Sequence, residues 1–89
     1  MFKVIDAKST GKTKELIRKA AATGGTIVCA HPENIGYKCI AYNLPRVNAV
    51  YYTEDLSKIE GDIYIDEIED YIRCNLGKRF VGYTLSNED

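Results

Sequence analysis

The chain has 89 residues, of which 45% are hydrophobic and 28% are charged, and its net charge is −1. This length fits one small domain, and the balanced charge argues against a broad nucleic-acid-binding or anionic-membrane-binding surface. No apolar run approaches the ~18 residues of a membrane span, and charged residues interrupt the N-terminus, so we expect neither a transmembrane helix nor a secretory signal. The three cysteines form no C-x-x-C pair, and there is a single histidine. This pattern gives no metal-site spacing and predicts reduced thiols in a cytoplasmic protein.

The first half of the chain alternates short apolar segments with helical patterns. Residues 2–5 are apolar and partly β-branched, which predicts a strand. Residues 11–22 place their apolar side chains on one face and predict an amphipathic helix. Residues 26–30 are continuously apolar, as in a strand that is buried on both faces of a parallel sheet. A second helix is predicted over residues 32–42, with a proline at its first position.

The second half continues this alternation. Strands are predicted over residues 47–52 and 62–66, and a short helix with Thr53 as its N-cap is predicted over residues 53–59. Residues 67–76 predict a helix that ends at a glycine, and residues 80–85 predict a final strand.

Five strands alternating with helices predict an α/β fold with a mainly parallel sheet. Right-handed connections would place helices on both faces of this sheet, giving a three-layer sandwich of about five strands. We find no internal repeat and no linker, so residues 1–89 are predicted to form a single domain.

A phosphate-binding loop is indicated where the first helix begins. Gly11-Lys12-Thr13 opens this helix, where the first N–H groups lack intrahelical acceptors and the helix dipole is positive. Gly11 would allow the backbone to approach a phosphate closely, and Lys12 would reach the β- and γ-phosphates. The Thr13 hydroxyl would be a hard oxygen ligand for Mg²⁺. The alternative is a glycine turn that only caps a surface helix.

The part of the loop before Gly11 departs from the full phosphate-loop pattern. That pattern places a glycine five residues earlier, where this chain has Asp6. The Asp6 charge would be unfavourable near phosphate unless the side chain points away or faces Mg²⁺. The intervening Lys8, Ser9 and Thr10 are predicted to belong to the nucleotide-binding loop.

Two carboxylates follow the apolar strand Ile63-Tyr64-Ile65. At the carboxyl edge of a parallel sheet, Asp66 would hold Mg²⁺ directly or through water, and Glu67 would orient or deprotonate an attacking water. The alternative is a strand end followed by acidic residues at a helix N-terminus, which the helix dipole favours in any case.

Together, these two motifs resemble those of a known family. Residues 6–13 resemble a degenerate Walker A motif, and residues 63–67 resemble a Walker B motif with its catalytic glutamate. The combination is similar to P-loop NTPases of the additional-strand, catalytic-glutamate class, which includes helicases and phage terminase motors. The resemblance implies ATP and Mg²⁺ as ligands, Asp66 as the magnesium aspartate and Glu67 as the catalytic base.

The resemblance also assigns weaker roles and predicts partners. Lys8 falls where terminase motors often carry a basic loop residue, and Thr84 and Ser86 fall where the next strand carries a γ-phosphate sensor. No arginine finger is evident, and we expect the sheet to lack the strands that usually follow in this family. We therefore expect a homo-oligomer or a larger protein partner, with nucleic acid contacted only through that partner.

Two functions follow from these expectations. The first is a Mg-ATP-binding protein, with slow or no hydrolysis alone, that serves a nucleic-acid machine of phage or mobile-element type. ATP is favoured over GTP because the chain has no N-K-x-D-type base-reading motif. The alternative is a catalytically inactive P-loop-like interaction module that does not need nucleotide.

Overall fold

The computed structural model describes residues 2–4 and 11–86. Its regular elements, in chain order, are α1 (Lys12–Thr23), β1 (Thr26–Cys29), α2 (Pro32–Ala41), β2 (Asn48–Tyr51), a 3₁₀ turn (Leu56–Lys58), β3 (Ile63–Ile65), α3 (Ile68–Leu76) and a second 3₁₀ turn (Gly77–Arg79). No helix in these ranges is long and apolar enough to cross a bilayer. The described residues thus form a small α/β domain, as the alternating pattern predicts.

The three strands of this domain form one parallel sheet in the order β2-β1-β3. Thr26 in β1 pairs with Asn48 in β2 and with Ile63 in β3. All four residues of the central strand β1 are buried, which confirms the prediction from its continuous apolar run. Backbone hydrogen bonds from Thr26 N to Asp62 O and from Asp66 N to Val28 O, both 2.9 Å, extend the pairing of β1 and β3 by one residue at each end.

The hydrophobic core lies between the sheet and the first two helices. It joins Ile17 and Ala20 of α1, Ile35 and Cys39 of α2, and Ile27 and Cys29 of β1. Because alternate residues of a strand point to the same face, α1 and α2 both pack on the face that carries Ile27 and Cys29. The opposite face is covered as well, since Val28 is also fully buried.

The direction of the chain explains why α1 and α2 share this face. Two successive right-handed connections that advance in one direction across a sheet stay on the same face. The chain advances in this way from the side of β3, through α1 to β1, and then through α2 to β2. In keeping with that path, the Phe2 ring lies against the Tyr64 ring of β3, with a centroid separation of 6.4 Å.

The structure corrects three of the predicted elements. The predicted strand over residues 80–85 was wrong, because the chain after Gly77–Arg79 has no regular structure as far as Ser86 and is almost entirely exposed. The helix predicted over residues 53–59 is a single 3₁₀ turn, and its cap is Asp55 instead of Thr53, with Ser57 N donating to Asp55 Oδ1 at 3.1 Å. Residues 2–4 are not in a strand, and Ile5 lies outside the described ranges.

Candidate functional site

The carboxyl edge of the sheet brings the two sequence motifs together. Because β2 and β3 lie on opposite sides of β1, the chain leaves the sheet in different directions there, which is where open α/β sheets commonly bind ligands. The Lys12 Nζ at the start of α1 lies 3.0 Å from Glu67 Oε1, just beyond β3. Residues that are 55 positions apart in the chain therefore meet at one place.

The Lys12–Glu67 ion pair is partly open to solvent. The side chain of Lys12 is 23% exposed and that of Glu67 is 50% exposed. Ion pairs in such positions contribute only about 0–1 kcal/mol because water screens the charges. A phosphate chain, which carries more negative charge than one carboxylate, is therefore able to compete for Lys12.

At this edge, the Asp66 carboxyl group has a shifted pKa. Burial raises its pKa above the ordinary value, and the neighbouring Glu67 carboxylate raises it further. Lys38 and Lys12 counter the rise with positive charge, and the Thr13 side chain counters it with a hydrogen bond. The Asp66 carboxylate thus sits in a partly dehydrated position beside the first turn of α1.

Thr13 and Asp66 form a donor set that fits a magnesium ion. Mg²⁺ prefers oxygen ligands, and it usually takes only one or two carboxylates and completes its shell with water and substrate phosphates. The described residues contain no cluster of three or more His, Cys, Asp or Glu side chains that would bind a metal alone. One hydroxyl and one carboxylate thus suit an ion that arrives together with a phosphate ligand.

Gly11 gives the start of α1 a backbone shape that other residues adopt only with strain. It is the N-cap of α1 with φ 86°, and among the described residues beyond its chain neighbours no atom lies within 4 Å of the position that a Cβ would occupy. The left-handed conformation, and not crowding, is therefore what requires glycine here. The other predicted loop residues, Lys8, Ser9 and Thr10, lie outside the described ranges, as does Asp6.

Glu67 has an unusual backbone conformation. Its φ of 61° and ψ of 75° are left-handed, and the only other non-glycine residue with positive φ in the described ranges is Asn43. This conformation costs about 1–2 kcal/mol for a residue with a Cβ, and Asn tolerates it better than Glu. Such outliers concentrate at functional sites.

The direction of the Glu67 side chain bears on the alternative interpretation of this carboxylate. Glu67 is the N-cap residue of α3, but its side chain makes no capping hydrogen bond. It pairs instead with Lys12 on another element, while Glu69 and Asp70 supply the acidic residues of the first turn of α3. A purely helix-capping role therefore does not describe Glu67.

Two further residues interact with Asp66 although no sequence motif predicts them. The Tyr52 hydroxyl, just after β2, donates to the Asp66 carbonyl oxygen at 2.8 Å. The positive charge of Lys38 on α2 favours the ionised form of Asp66 and so lowers its pKa. Tyr52 follows an apolar strand and Lys38 belongs to a helix, so only the fold brings them to this edge.

A cleft of about 820 Å³ opens beside the ion pair, along the side of β3. Lys12, Asp66 and Glu67 belong to its charged lining, together with Lys3, Asp62 and Glu69, and its apolar lining includes Phe2, Ile63 and Leu85. Its volume falls within the usual range for small-molecule sites, about 300–1,000 Å³.

The two predicted sensor residues are the chain neighbours of a residue that lines this cleft. Thr84 and Ser86 are both exposed, and Leu85 between them lines the cleft. The Ser86 carbonyl oxygen accepts a hydrogen bond from Lys3 Nζ at 2.7 Å. The sensor role of the Thr84 and Ser86 side chains stays a prediction.

No family model, curated protein or solved structure matches this chain. The function must therefore be argued from the geometry of the site.

Proposed function

We propose that this chain is a P-loop-type protein that binds Mg-ATP at the carboxyl edge of its sheet and hydrolyses it slowly on its own. In this proposal, Lys12 binds phosphate, Thr13 and Asp66 hold Mg²⁺, and Glu67 acts on the attacking water. The protein would serve a larger, nucleic-acid-directed assembly of phage or mobile-element type.

The contact between the two motifs supports this proposal most strongly. A lysine at a helix N-terminus and a carboxylate after a distant strand meet at 3.0 Å, and the adjacent threonine and aspartate also interact. A lone Gly-Lys-Thr turn or a lone acidic pair would not require this meeting. Phosphoryl transfer requires it, because one group must bind the phosphates while another positions the nucleophile.

The proposed chemistry assigns one task to each side chain. Lys12 would exchange the Glu67 carboxylate for the β- and γ-phosphate oxygens, which leaves Glu67 able to accept a proton. Bound Mg²⁺ would neutralise part of the phosphate charge. A water oxygen would bond to the γ-phosphorus as the bond to the β,γ-bridging oxygen breaks, with Glu67 accepting the proton of that water.

The finer fold of this proposal is a three-layer P-loop sandwich whose sheet extends beyond β3. Residues 2–5 would add a strand beside β3, and the segment that ends at Ser86 would lie against them without forming a strand. The ring contact between Phe2 and Tyr64 and the hydrogen bond between Lys3 and Ser86 support this order. Because residues 2–4 form no strand in this structure, the proposal requires them to pair with β3 when a ligand or partner binds.

A second candidate function has its own support. Large apolar side chains are exposed around the cleft, where Phe2 is 41% and Leu85 is 59% exposed. Such surfaces often bind other proteins. An interaction module that needs no nucleotide would use this surface and leave the Lys12–Glu67 pair intact.

Calorimetric titration with ATP, in the presence and absence of Mg²⁺, distinguishes the two functions. We expect saturable binding that Mg²⁺ strengthens, with ATP bound more tightly than AMP because Lys12 contacts the terminal phosphates. Absence of binding at millimolar Mg-ATP would favour the interaction module.

A further inference from the structure

Tyr52 is a buried tyrosine whose hydroxyl points at the backbone of the carboxylate pair. Only 4% of its surface is exposed. Its Oη lies 2.8 Å from the Asp66 carbonyl oxygen and 3.5 Å from the Glu67 carbonyl oxygen. A phenol donates one proton, so the shorter contact is the main hydrogen bond.

Tyr52 is held in place by contacts with β2 and α3. Its ring packs edge-to-face on Tyr71 of α3, with centroids 5.7 Å apart, and lies 5.6 Å from the ring of Tyr51. The Asn75 side chain donates to the Tyr52 carbonyl oxygen at 3.4 Å. Residues of both β2 and α3 therefore fix the position of the Tyr52 side chain.

The backbone that receives this hydrogen bond is the strained turn between β3 and α3. Glu67 adopts its left-handed conformation at this turn, and its carbonyl oxygen accepts the Tyr71 amide at 3.1 Å. Strained backbone persists only where surrounding contacts determine it. Tyr52 supplies such a contact from outside the strand and helix that the turn connects.

We propose that Tyr52 is a positioning residue whose hydroxyl holds the Asp66–Glu67 turn in the left-handed conformation that directs the Glu67 carboxylate toward Lys12. Its catalytic consequence rests on the proposed ATPase function, but its structural consequence does not. Tyr52 touches no reacting atom in this proposal and acts only through Glu67.

Backbone NMR of the nucleotide-free protein tests the structural part directly. Tyr52→Phe removes the hydroxyl and keeps the ring, and we expect the Glu67 Cα and Cβ shifts to leave their left-handed values. Tyr51→Phe is the matched control, because it removes a neighbouring hydroxyl that contacts Cys74 at 3.7 Å. Unchanged Glu67 signals in Tyr52→Phe would overturn the proposal, whether or not the protein binds ATP.

Kinetics test the catalytic part wherever the wild type hydrolyses ATP. We expect Tyr52→Phe to lower kcat about tenfold while the dissociation constant of Mg-ATP changes less than threefold, which is how a positioning residue differs from a binding one. In a Glu67→Gln background, the same substitution should have no further effect on kcat. An equal loss in both backgrounds, or an unchanged kcat, would contradict action through Glu67.

Circular dichroism would show whether Tyr52→Phe folds, and a second variant tests the proposal if it does not. Asn75→Ala removes the amide that holds the Tyr52 backbone, and we expect it to shift the Glu67 signals in the same direction by a smaller amount. If Tyr52→Phe does not fold, unchanged Glu67 signals in Asn75→Ala would overturn the proposal. A wild type that gives the expected NMR result but binds no ATP would refute the proposed function and leave the positioning role standing.

Discussion

The central strand β1 and the edge strand β3 differ in how they are covered. On the side of β1, which comprises β1 with α1 and α2, every residue of β1 is buried, and Ile17, Ile27, Val28 and Cys39 are almost completely shielded from solvent. On the side of β3, no residue of β3 or α3 is buried, and Ile63, Ile68 and Leu76 are substantially exposed. The apolar interior that stabilises the fold thus lies on one side, while the other side carries the charged site and an apolar cleft.

In this chain of 89 residues, the region that supplies most of the stability is separate from the region that carries the candidate site. A domain of this size has a total stability of only about 5–10 kcal/mol. The side of β1 supplies most of the apolar burial, so the side of β3 is able to keep exposed carboxylates and a strained turn. A nucleotide or a partner would cover that side and stabilise it through binding.

The largest expected effect is loss of stability from the buried side. Ile27→Ala removes a fully buried side chain, and we expect it to lower the free energy of unfolding by about 2–5 kcal/mol. The matched control is Ile63→Ala in β3, where the side chain is already 37% exposed and the loss should be less than half as large. Urea denaturation, monitored by circular dichroism, measures the loss of stability in both variants. Equal losses would mean that the two sides are equally important for stability.

The next effect concerns turnover on the side of β3. Glu67→Gln keeps the shape of the side chain but cannot accept a proton, so we expect ATP to remain bound while hydrolysis falls about 10²-fold or more. Asp70→Asn, in the first turn of α3, is the charge-matched control. A phosphate-release assay and calorimetry give the two quantities. Undiminished hydrolysis in Glu67→Gln would remove Glu67 from the catalytic role.

A smaller effect is expected on nucleotide affinity. Lys12→Ala should weaken Mg-ATP binding by about tenfold or more, since a charge-assisted hydrogen bond contributes about 1.5–3 kcal/mol. Lys14→Ala is the control, because Lys14 lies on the same helix with its ammonium group 5.7 Å from the Tyr42 ring centroid. Calorimetry measures both affinities. If Lys12→Ala bound Mg-ATP as tightly as the wild type, Lys12 would not belong to the site.

The smallest effect is a pH-dependent gain in stability. Because burial raises the pKa of Asp66 in the folded protein, ionisation of Asp66 destabilises the fold as the pH rises through that pKa. Asp66→Asn should therefore be more stable than the wild type at pH 7, and this difference should disappear below the ordinary pKa of 3.8.

Thermal melts between pH 3 and pH 7 measure this gain, and calorimetry should show weaker Mg²⁺-dependent ATP binding in the same variant. A variant less stable than the wild type at pH 7 would show that the contacts of Asp66 outweigh its cost of burial.

The local pattern of the sequence was sufficient to predict most of the regular elements. The buried run of β1, the amphipathic α1 and the proline that opens α2 are local signals, and the structure confirms all three elements. The final strand was wrong because strand propensity reflects burial and pairing as much as residue type. Residues 81–86 remain exposed and find no strand partner in the described part of the chain.

The candidate site divides in the same way between sequence and tertiary structure. Residue type and spacing alone predicted Gly11, Lys12, Thr13, Asp66 and Glu67 as site residues, because a helix start and a strand end are local features with known chemistry. Only the tertiary structure decided that Lys12 and Glu67 meet, since that contact depends on the strand order β2-β1-β3 and on where α1 begins. The contact of the Tyr52 hydroxyl with the backbone of Asp66 and Glu67 was also decided only by the tertiary structure, because no local sequence pattern predicts which carbonyl oxygen a buried hydroxyl will reach.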